Sequence, residues 1–168
     1  SGPIGQLNLR SGCHSVVRVA LANAMAEVIR LGLENTINYS DANSAGGCWT
    51  ARFSRLSPNS SIGFLSRHTW GMAIDTNTVG SCQGCAPPDI DCRTVRVFRK
   101  NGFAWGGNFL RPDGMHFEWV GEPRHQGLYP SRYCPNVESA TSAAFGGDTQ
   151  RSTLFVQDGL SSAGGDEH

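Results

Sequence analysis

The first extended pattern in the chain is a run of apolar positions at helical spacing, between Ser15 and Leu33. Residues three or four positions apart in this run are mostly apolar, which predicts an amphipathic scaffold helix. Ser15 is placed to cap its first turn, and Gly32 and Asn35 are typical of a helix end. The residues that recur at this spacing are Val16, Val19, Ala20, Asn23, Ala24, Glu27, Val28 and Leu31.

A second helix is predicted from Asp89 to Lys100, where the apolar face is less regular and Asn101-Gly102 supplies a stop. Between the two predicted helices, Ile37 to Ser40 is a short β-prone run. The residues that follow it, Asp41 to Gly47, are rich in turn formers.

Two further segments are predicted to be strands. Met72 to Thr76 has the composition of a buried strand, and Met115 to Val120 alternates between two faces. The alternation places His116 and Glu118 on the same face. Helices near the start and middle of the chain, with short strands between them, predict an α+β domain built on a small antiparallel sheet with flanking helices.

The length and the net charge of the chain limit the number of domains and the kinds of partner that we expect. A chain of 168 residues fits one domain, and 14 basic residues balance 14 acidic ones, which argues against a nucleic-acid partner. No apolar stretch approaches the roughly 18 residues that a membrane span needs, and the N-terminus lacks a signal-peptide pattern. From about Glu138 onward Ser, Thr, Gly and Ala dominate, so we expect a domain over 1–137 and a linker or loosely docked tail over 138–168.

The cysteines form an even set in a loop-rich chain, which favours disulfides and an oxidising compartment. The spacing does not say which pairs form. Cys82, Cys85 and Cys92 could instead hold a structural zinc ion with Cys134 or a histidine, and free thiols are a third interpretation. The full set is Cys13, Cys48, Cys82, Cys85, Cys92 and Cys134.

The residues with the clearest chemistry are His68, Asp75 and His116. Two imidazoles and a carboxylate are the ligand set of an open zinc site, in which the fourth position is left for water or substrate. Seven positions separate the first two residues, and the third arrives from a different predicted strand. A site of this kind is assembled by tertiary structure.

The segments around these residues carry a resemblance to a known family. S-x-H-x-x-G-x-A-x-D spans Ser66 to Asp75, Trp105-Gly106-Gly107 follows, and D-x-x-H-F-E spans Asp113 to Glu118. In this order, over about Ile37 to Val120, the chain resembles the VanY-like peptidases of the M15 metallopeptidase family. The resemblance implies the fold shared by the hedgehog signalling domain and the D-Ala-D-Ala peptidases. It also implies a Zn²⁺ enzyme that cuts the peptidoglycan stem peptide.

Asp113 matches the family's catalytic acid/base, and lies three residues before His116. A carboxylate there could take a proton from a water activated by the metal and pass it to the leaving amine. Asp also suits a Pro-x-Gly turn such as Pro112 to Gly114 without any catalytic role. Glu118 is the rival base, although a position beside His116 fits better with a group that orients a ligand or the substrate.

Three further residues are candidates for substrate contacts. Arg52 occupies the place where the family carries an arginine that binds substrate and steadies the oxyanion, although Arg55 is close enough to compete. Ser66 could bind substrate or cap a turn. Trp105 resembles the family's cleft wall, and packing is an equal alternative for it, whereas Trp70 and Trp119 are interpreted as core.

The leading hypothesis is therefore a zinc peptidase, either an L-Ala-D-Glu endopeptidase or a D-Ala carboxypeptidase. His116-Phe117-Glu118 replaces the H-x-H of many carboxypeptidase members and is closer to the endopeptidases and endolysins. We expect a monomer that is secreted or held in the cell wall, or a phage lysin. The alternatives are a catalytically silent wall-binding or signalling module of the same fold and, more weakly, a redox protein that uses Cys82-x-x-Cys85.

Overall fold

Three α-helices and two small antiparallel sheets make up the part of the chain that the computed structural model describes, residues 4–8, 12–44, 47–57 and 60–136. This is the α+β class predicted from the sequence. The helices are α1 (Ser15–Arg30), α2 (Tyr39–Ser44) and α3 (Cys92–Lys100). The strands are β1 (Phe53–Ser57), β2 (Ser60–Leu65), β3 (Ala73–Asp75), β4 (Phe103–Trp105) and β5 (His116–Trp119). Three short 3₁₀ turns cover Glu34–Thr36, Arg67–Trp70 and Gly106–Asn108.

The predicted first helix is present as α1, but two details differ. The ring of His14, rather than Ser15, accepts the capping hydrogen bond, from the Val16 amide at 3.4 Å. The helix ends at Arg30, just before Gly32, which has the positive φ of a helix stop.

The face of α1 that is buried also differs from the predicted one. Val16, Val19 and Leu31 are exposed. Apolar residues occur on more than one side of this helix, so spacing alone did not decide which side meets the core. The buried positions are Val17, Leu21, Ala24, Met25 and Val28.

The predicted strand over Ile37–Ser40 is wrong, because helix α2 begins in this segment. The side chain of Asn38 accepts a hydrogen bond from the Asp41 amide at 3.0 Å, and its carbonyl accepts one from Ala42 at 2.9 Å. An Asn in this position caps a helix, which favours the helical turn over an extended chain. Ile37 is still buried in the core.

The second predicted helix is shorter than expected, because it starts at Cys92 instead of Asp89. Asp91 caps it by accepting a hydrogen bond from the Arg93 amide at 2.8 Å. Asn101 closes the helix, as the sequence indicated.

Strand β5 is the centre of the three-stranded sheet, with order β3-β5-β4 and antiparallel pairing on both sides. Both predicted strands, over 72–76 and 115–120, are therefore confirmed as β3 and β5. Phe117 of β5 packs against Phe98 of α3, with ring centroids 4.7 Å apart, and Phe103 of β4 completes this aromatic core. Strands β1 and β2 form a separate two-stranded sheet.

The cysteines are paired as disulfides, as favoured from their number. The bonds join Cys13 to Cys48, Cys82 to Cys85 and Cys92 to Cys134. Because Cys92 is bonded to Cys134, the alternative cysteine site for a structural zinc ion is not formed.

The segment after β5 is held against α3 by a buried cation. The guanidinium group of Arg99 is fully buried, and donates to the carbonyl of Tyr129 and the side chain of Asn136. The tail expected from residue 138 lies outside the described residues. Among the residues that are described, no helix has the length and apolar character to cross a membrane.

Candidate metal centre

The sheet register brings two of the three candidate ligands together. Asp75 ends β3 and pairs directly with His116, the first residue of β5. Side chains of directly opposed residues in an antiparallel pair lie on the same face. His68 approaches from the 3₁₀ turn, which Ser66 caps by accepting a hydrogen bond from the His68 amide at 3.3 Å.

That turn can follow its path because Gly71 adopts a positive φ of 66° against the chain at Gly12. A side chain at Gly71 would come within 2.8 Å of the Gly12 carbonyl oxygen. The turn that carries His68 is therefore packed closely against the segment that enters α1.

The three candidate ligand atoms converge on one point. His68 Nε2 is 3.1 Å from Asp75 Oδ1 and 3.3 Å from His116 Nδ1, and the third side, His116 Nδ1 to Asp75 Oδ1, is 3.0 Å. All three side chains are buried. Ligand atoms around a tetrahedral zinc ion, with bonds of about 2.0–2.1 Å, lie about 3.3 Å apart.

Hydrogen bonds alone do not account well for this triangle. If His68 Nε2 and His116 Nδ1 both donate a proton to Asp75, their two N–H groups face each other at a distance of 3.3 Å, which is unfavourable. A cation at the centre satisfies all three lone pairs at once. The donor set and its spacing therefore fit a small divalent ion held by His68, Asp75 and His116.

Asp75 is kept in the state that binds a cation. Burial by itself would raise the pKa of this carboxyl, but the neighbouring imidazoles of His68 and His116 outweigh burial and hold the pKa of Asp75 well below its usual range. Its second oxygen, Oδ2, is 3.7 Å from Arg52 Nη2. The carboxylate thus links the metal centre to Arg52.

Glu118 lies behind His116, as the strand alternation predicted. Its Oε2 is 3.4 Å from His116 Nε2, and the side chain is fully buried. On β5 it is opposite Ala73 on one side and Ala104 on the other, and these small residues leave room for it. A hydrogen bond at Nε2 leaves the Nδ1 lone pair of His116 directed at the triangle.

A cleft of about 110 Å³ opens onto His116. Asp113, Arg52 and Ser66, three of the residues selected from the sequence, lie in its wall, and Arg55 does too. Sequence reasoning did not select the remaining lining residues as site residues, although Arg111 is only two positions before Asp113. These remaining residues are Ser54, Gln83, Phe109, Leu110 and Arg111.

The turn that carries Asp113 is tied to the neighbouring 3₁₀ turn. The Asp113 amide donates to the Gly106 carbonyl at 2.8 Å, and the His116 amide donates to the Asp113 carbonyl at 3.1 Å. Gly106 has no space for a side chain, since a Cβ there would be 2.5 Å from the Asp113 carbonyl oxygen. The backbone therefore fixes Asp113 relative to His116.

Trp105 supports this turn from below. It is fully buried, and its Nε1 donates to the Gly114 carbonyl at 2.8 Å. It is not among the residues that line the cleft. Two other tryptophans were assigned to the core. Trp119 does pack against the hydrophobic core, but Trp70 is 58% exposed, so its assignment to the core is wrong.

Comparison with known proteins agrees with the motifs. Residues 59–119 match the model of an M15 peptidase family described as D-alanyl-D-alanine carboxypeptidase. No curated protein and no solved structure matches the chain. The matched segment contains His68, Asp75, His116 and Asp113, whereas Arg52 precedes it. The predicted resemblance is thus confirmed, since the segment that carries all three residues of the candidate metal triangle matches the M15 peptidase family.

Proposed function

We propose that this protein is a zinc-dependent peptidase that hydrolyses the peptide part of bacterial peptidoglycan. The observation that carries the proposal is the convergence of His68 Nε2, Asp75 Oδ1 and His116 Nδ1 beside a cleft that Asp113 also lines. We also propose that residues 1–137 form the peptidase domain, with the hedgehog/DD-peptidase-like fold, and that 138–168 are a tail or linker. The family match to an M15 peptidase supports this fold.

Zinc is the metal that this donor set favours. Two imidazole nitrogens and one carboxylate oxygen suit a borderline cation in a site that keeps one position open. When bound, zinc supplies a Lewis acid that polarises the scissile carbonyl and lowers the pKa of water to about 7.

Asp113 is the proposed general base and acid. At the wall of the cleft, its carboxylate accepts the proton of the attacking water and then delivers it to the leaving amine. Proton transfer by a positioned group of this kind contributes a factor of roughly 10² to 10⁴ in rate. Glu118, the rival for this role, is fully buried and does not line the cleft. Its proposed role is to orient His116.

Arg52 is the proposed partner of the developing oxyanion. Its side chain is 27% exposed, lines the cleft and is close to Asp75. A guanidinium group in this place can donate to the carbonyl oxygen as negative charge develops there. Ser66 lines the same cleft and caps the turn of His68, so its hydroxyl can bind substrate as well as cap the turn. We propose that Trp105 contributes indirectly, by supporting Gly106 and Gly114 under the cleft.

The proposed substrate is the stem peptide, and the reaction is that of a D-Ala carboxypeptidase or an L-Ala-D-Glu endopeptidase. The description of the matched family favours the first, and His116-Phe117-Glu118 the second. Its place of action would be the cell wall, for a secreted monomer or a phage lysin, and the disulfides fit an oxidising compartment.

The test is digestion of defined stem peptides by the zinc-loaded full chain, followed by mass spectrometry, with and without a chelator. We expect new amino groups that appear only with metal, and the fragment masses identify the bond. Zinc binding without hydrolysis of any stem peptide or intact wall would contradict the proposal and favour the silent wall-binding module.

A further inference from the structure

Positive charge is concentrated around the cleft. Arg52, Arg55 and Arg111 all line it, beside one carboxylate, that of Asp113. Basic and acidic residues are equal in number over the chain as a whole, so this excess is local. Arg52 has a role in the proposed reaction, whereas no role has been assigned there to Arg55 or Arg111.

The small loop closed by the Cys82–Cys85 disulfide supports both of these arginines. From this disulfide loop, Gln83 Nε2 donates to the Arg55 carbonyl at 2.7 Å. Gly84, which has a positive φ of 88°, leaves space for the guanidinium group of Arg111. A Cβ at Gly84 would be 3.0 Å from both Nε and Nη2 of Arg111. One loop thus holds the backbone of Arg55 and borders the side chain of Arg111.

The same loop is also attached to the turn that carries Asp113. Gln83 forms a β-bridge with Asp113, and the Gly84 amide donates to the Pro112 carbonyl. These contacts hold the backbone of Arg55 and of Arg111 in a set position relative to Asp113, the proposed base. Both residues are solvent-exposed, so their guanidinium groups can meet a peptide that enters the cleft.

We propose that Arg55 and Arg111 recognise a carboxylate group of the substrate, so that the enzyme selects acidic peptides with a negative charge near the bond that is cut. A guanidinium group binds a carboxylate through two parallel charge-assisted hydrogen bonds, which discriminate it from a carboxamide. The carboxylate is either a side chain next to the scissile bond or the peptide's C-terminus. This inference rests on the proposed peptidase function.

Two pairs of matched peptides distinguish these sources. One pair exchanges a side-chain carboxylate beside the scissile bond for a carboxamide, and the other exchanges a free C-terminus for an amidated one. For the zinc-loaded full chain, kcat/KM on one carboxylate peptide should exceed that on its neutral partner by about 10-fold or more. The pair that shows the difference identifies the carboxylate that the arginines contact.

The variants Arg55→Gln and Arg111→Gln test the residues themselves. Each should lower kcat/KM about 10-fold on the preferred carboxylate peptide and change it less than about 2-fold on the neutral partner. Arg30→Gln is the control, because this arginine is at the end of α1 and its side chain is 67% exposed. Arg111→Glu should reverse the preference, so that a lysine peptide is cleaved better than the acidic one.

Equal cleavage of charged and neutral peptides by the unaltered chain overturns the inference and leaves the peptidase proposal standing. Equal losses on both peptides in the Arg variants also overturn it, since they would indicate a merely structural role. If the chain cleaves none of the peptides, the peptidase proposal fails. Calorimetric binding of the same pairs to the zinc-loaded chain then tests carboxylate recognition by itself.

Discussion

The Glu118 carboxylate approaches His116 from the side opposite the metal triangle, with Oε2 3.4 Å from His116 Nε2. Two positions apart on β5, the residues share one face of the strand. A carboxylate behind a ligating imidazole selects the tautomer and raises the basicity of the ligand. This relationship separates the proposed roles of Glu118 and Asp113, because Asp113 faces the cleft instead.

Glu118→Gln should therefore weaken zinc binding by roughly 10- to 100-fold. Titration against a competing chelator measures this affinity. With zinc added to saturation, hydrolysis should return to near the unaltered level, since the proposed proton transfer goes through Asp113 and not through Glu118. Glu122→Gln is a matched control, because that side chain is 60% exposed. Loss of hydrolysis at full zinc occupancy would instead identify Glu118 as the base.

His116→Ala should abolish retention of the ion. The substitution removes one of the three proposed ligands and also the imidazole that Glu118 contacts. Metal content after gel filtration is the measurement. His125→Ala, at an exposed position, should keep its zinc. Stoichiometric zinc in the His116 variant would contradict the proposed ligand set.

Asp113→Ala should keep the ion and lose hydrolysis by a factor of about 10² to 10⁴, the range for a lost general acid or base. Its backbone hydrogen bonds to Gly106 and His116 do not involve the side chain, so the turn should persist. Zinc content and kcat on a defined stem peptide are measured on the same sample. A fully active variant would show that the base is another residue, with Glu118 the next candidate.

Removal of the Cys92–Cys134 disulfide should lower stability more than removal of the Cys82–Cys85 disulfide. Cys92–Cys134 spans 42 positions and Cys82–Cys85 spans three. By loop-closure entropy, replacing the first pair with serines should cost about 4 kcal/mol of unfolding free energy, and replacing the second much less. Denaturant unfolding checks this difference.

Loss of the Cys82–Cys85 bond should act on catalysis instead. The disulfide loop supports the Asp113 turn through Gln83 and Gly84, and small misplacement of a reacting group can cost up to about 10²-fold in rate. We expect kcat to fall while zinc is retained. An unchanged kcat in the Cys82→Ser/Cys85→Ser variant would show that the turn holds Asp113 without the loop.

Gly106→Ala should disturb the site through the backbone. The added methyl group would be 2.5 Å from the Asp113 carbonyl oxygen and 3.1 Å from His116 Cβ, so the turn must shift. Overpacking of this kind costs about 1–3 kcal/mol, and we expect hydrolysis to fall as well. Gly127→Ala is the control, because nothing lies within 4 Å of a Cβ there. Thermal unfolding and kcat measured side by side test the pair.

Several features followed directly from local sequence. The alternation in 115–120 places His116 and Glu118 on one face, because successive side chains of a strand point in opposite directions. The candidate ligand set was recognisable from residue types within two short motifs, and the even number of cysteines indicated disulfides. Each of these inferences depends on neighbours in the chain or on counting.

Other features required the packed structure. The buried face of α1, the exposure of Trp70 and the helical start at Asn38 each depend on which neighbours or caps were available. Spacing alone leaves such choices open.

What the sequence determined by itself was the set of reactive groups and the motif pattern: two imidazoles, carboxylates and their flanking residues. Tertiary structure alone decided that His68 Nε2 and His116 Nδ1, 48 positions apart, lie 3.3 Å from each other. It also decided that Arg55, Gln83 and Arg111 meet at one cleft. The physical reason is that residue type and periodicity are local properties, whereas distances between remote side chains are set by strand register, loop closure and packing of the whole core.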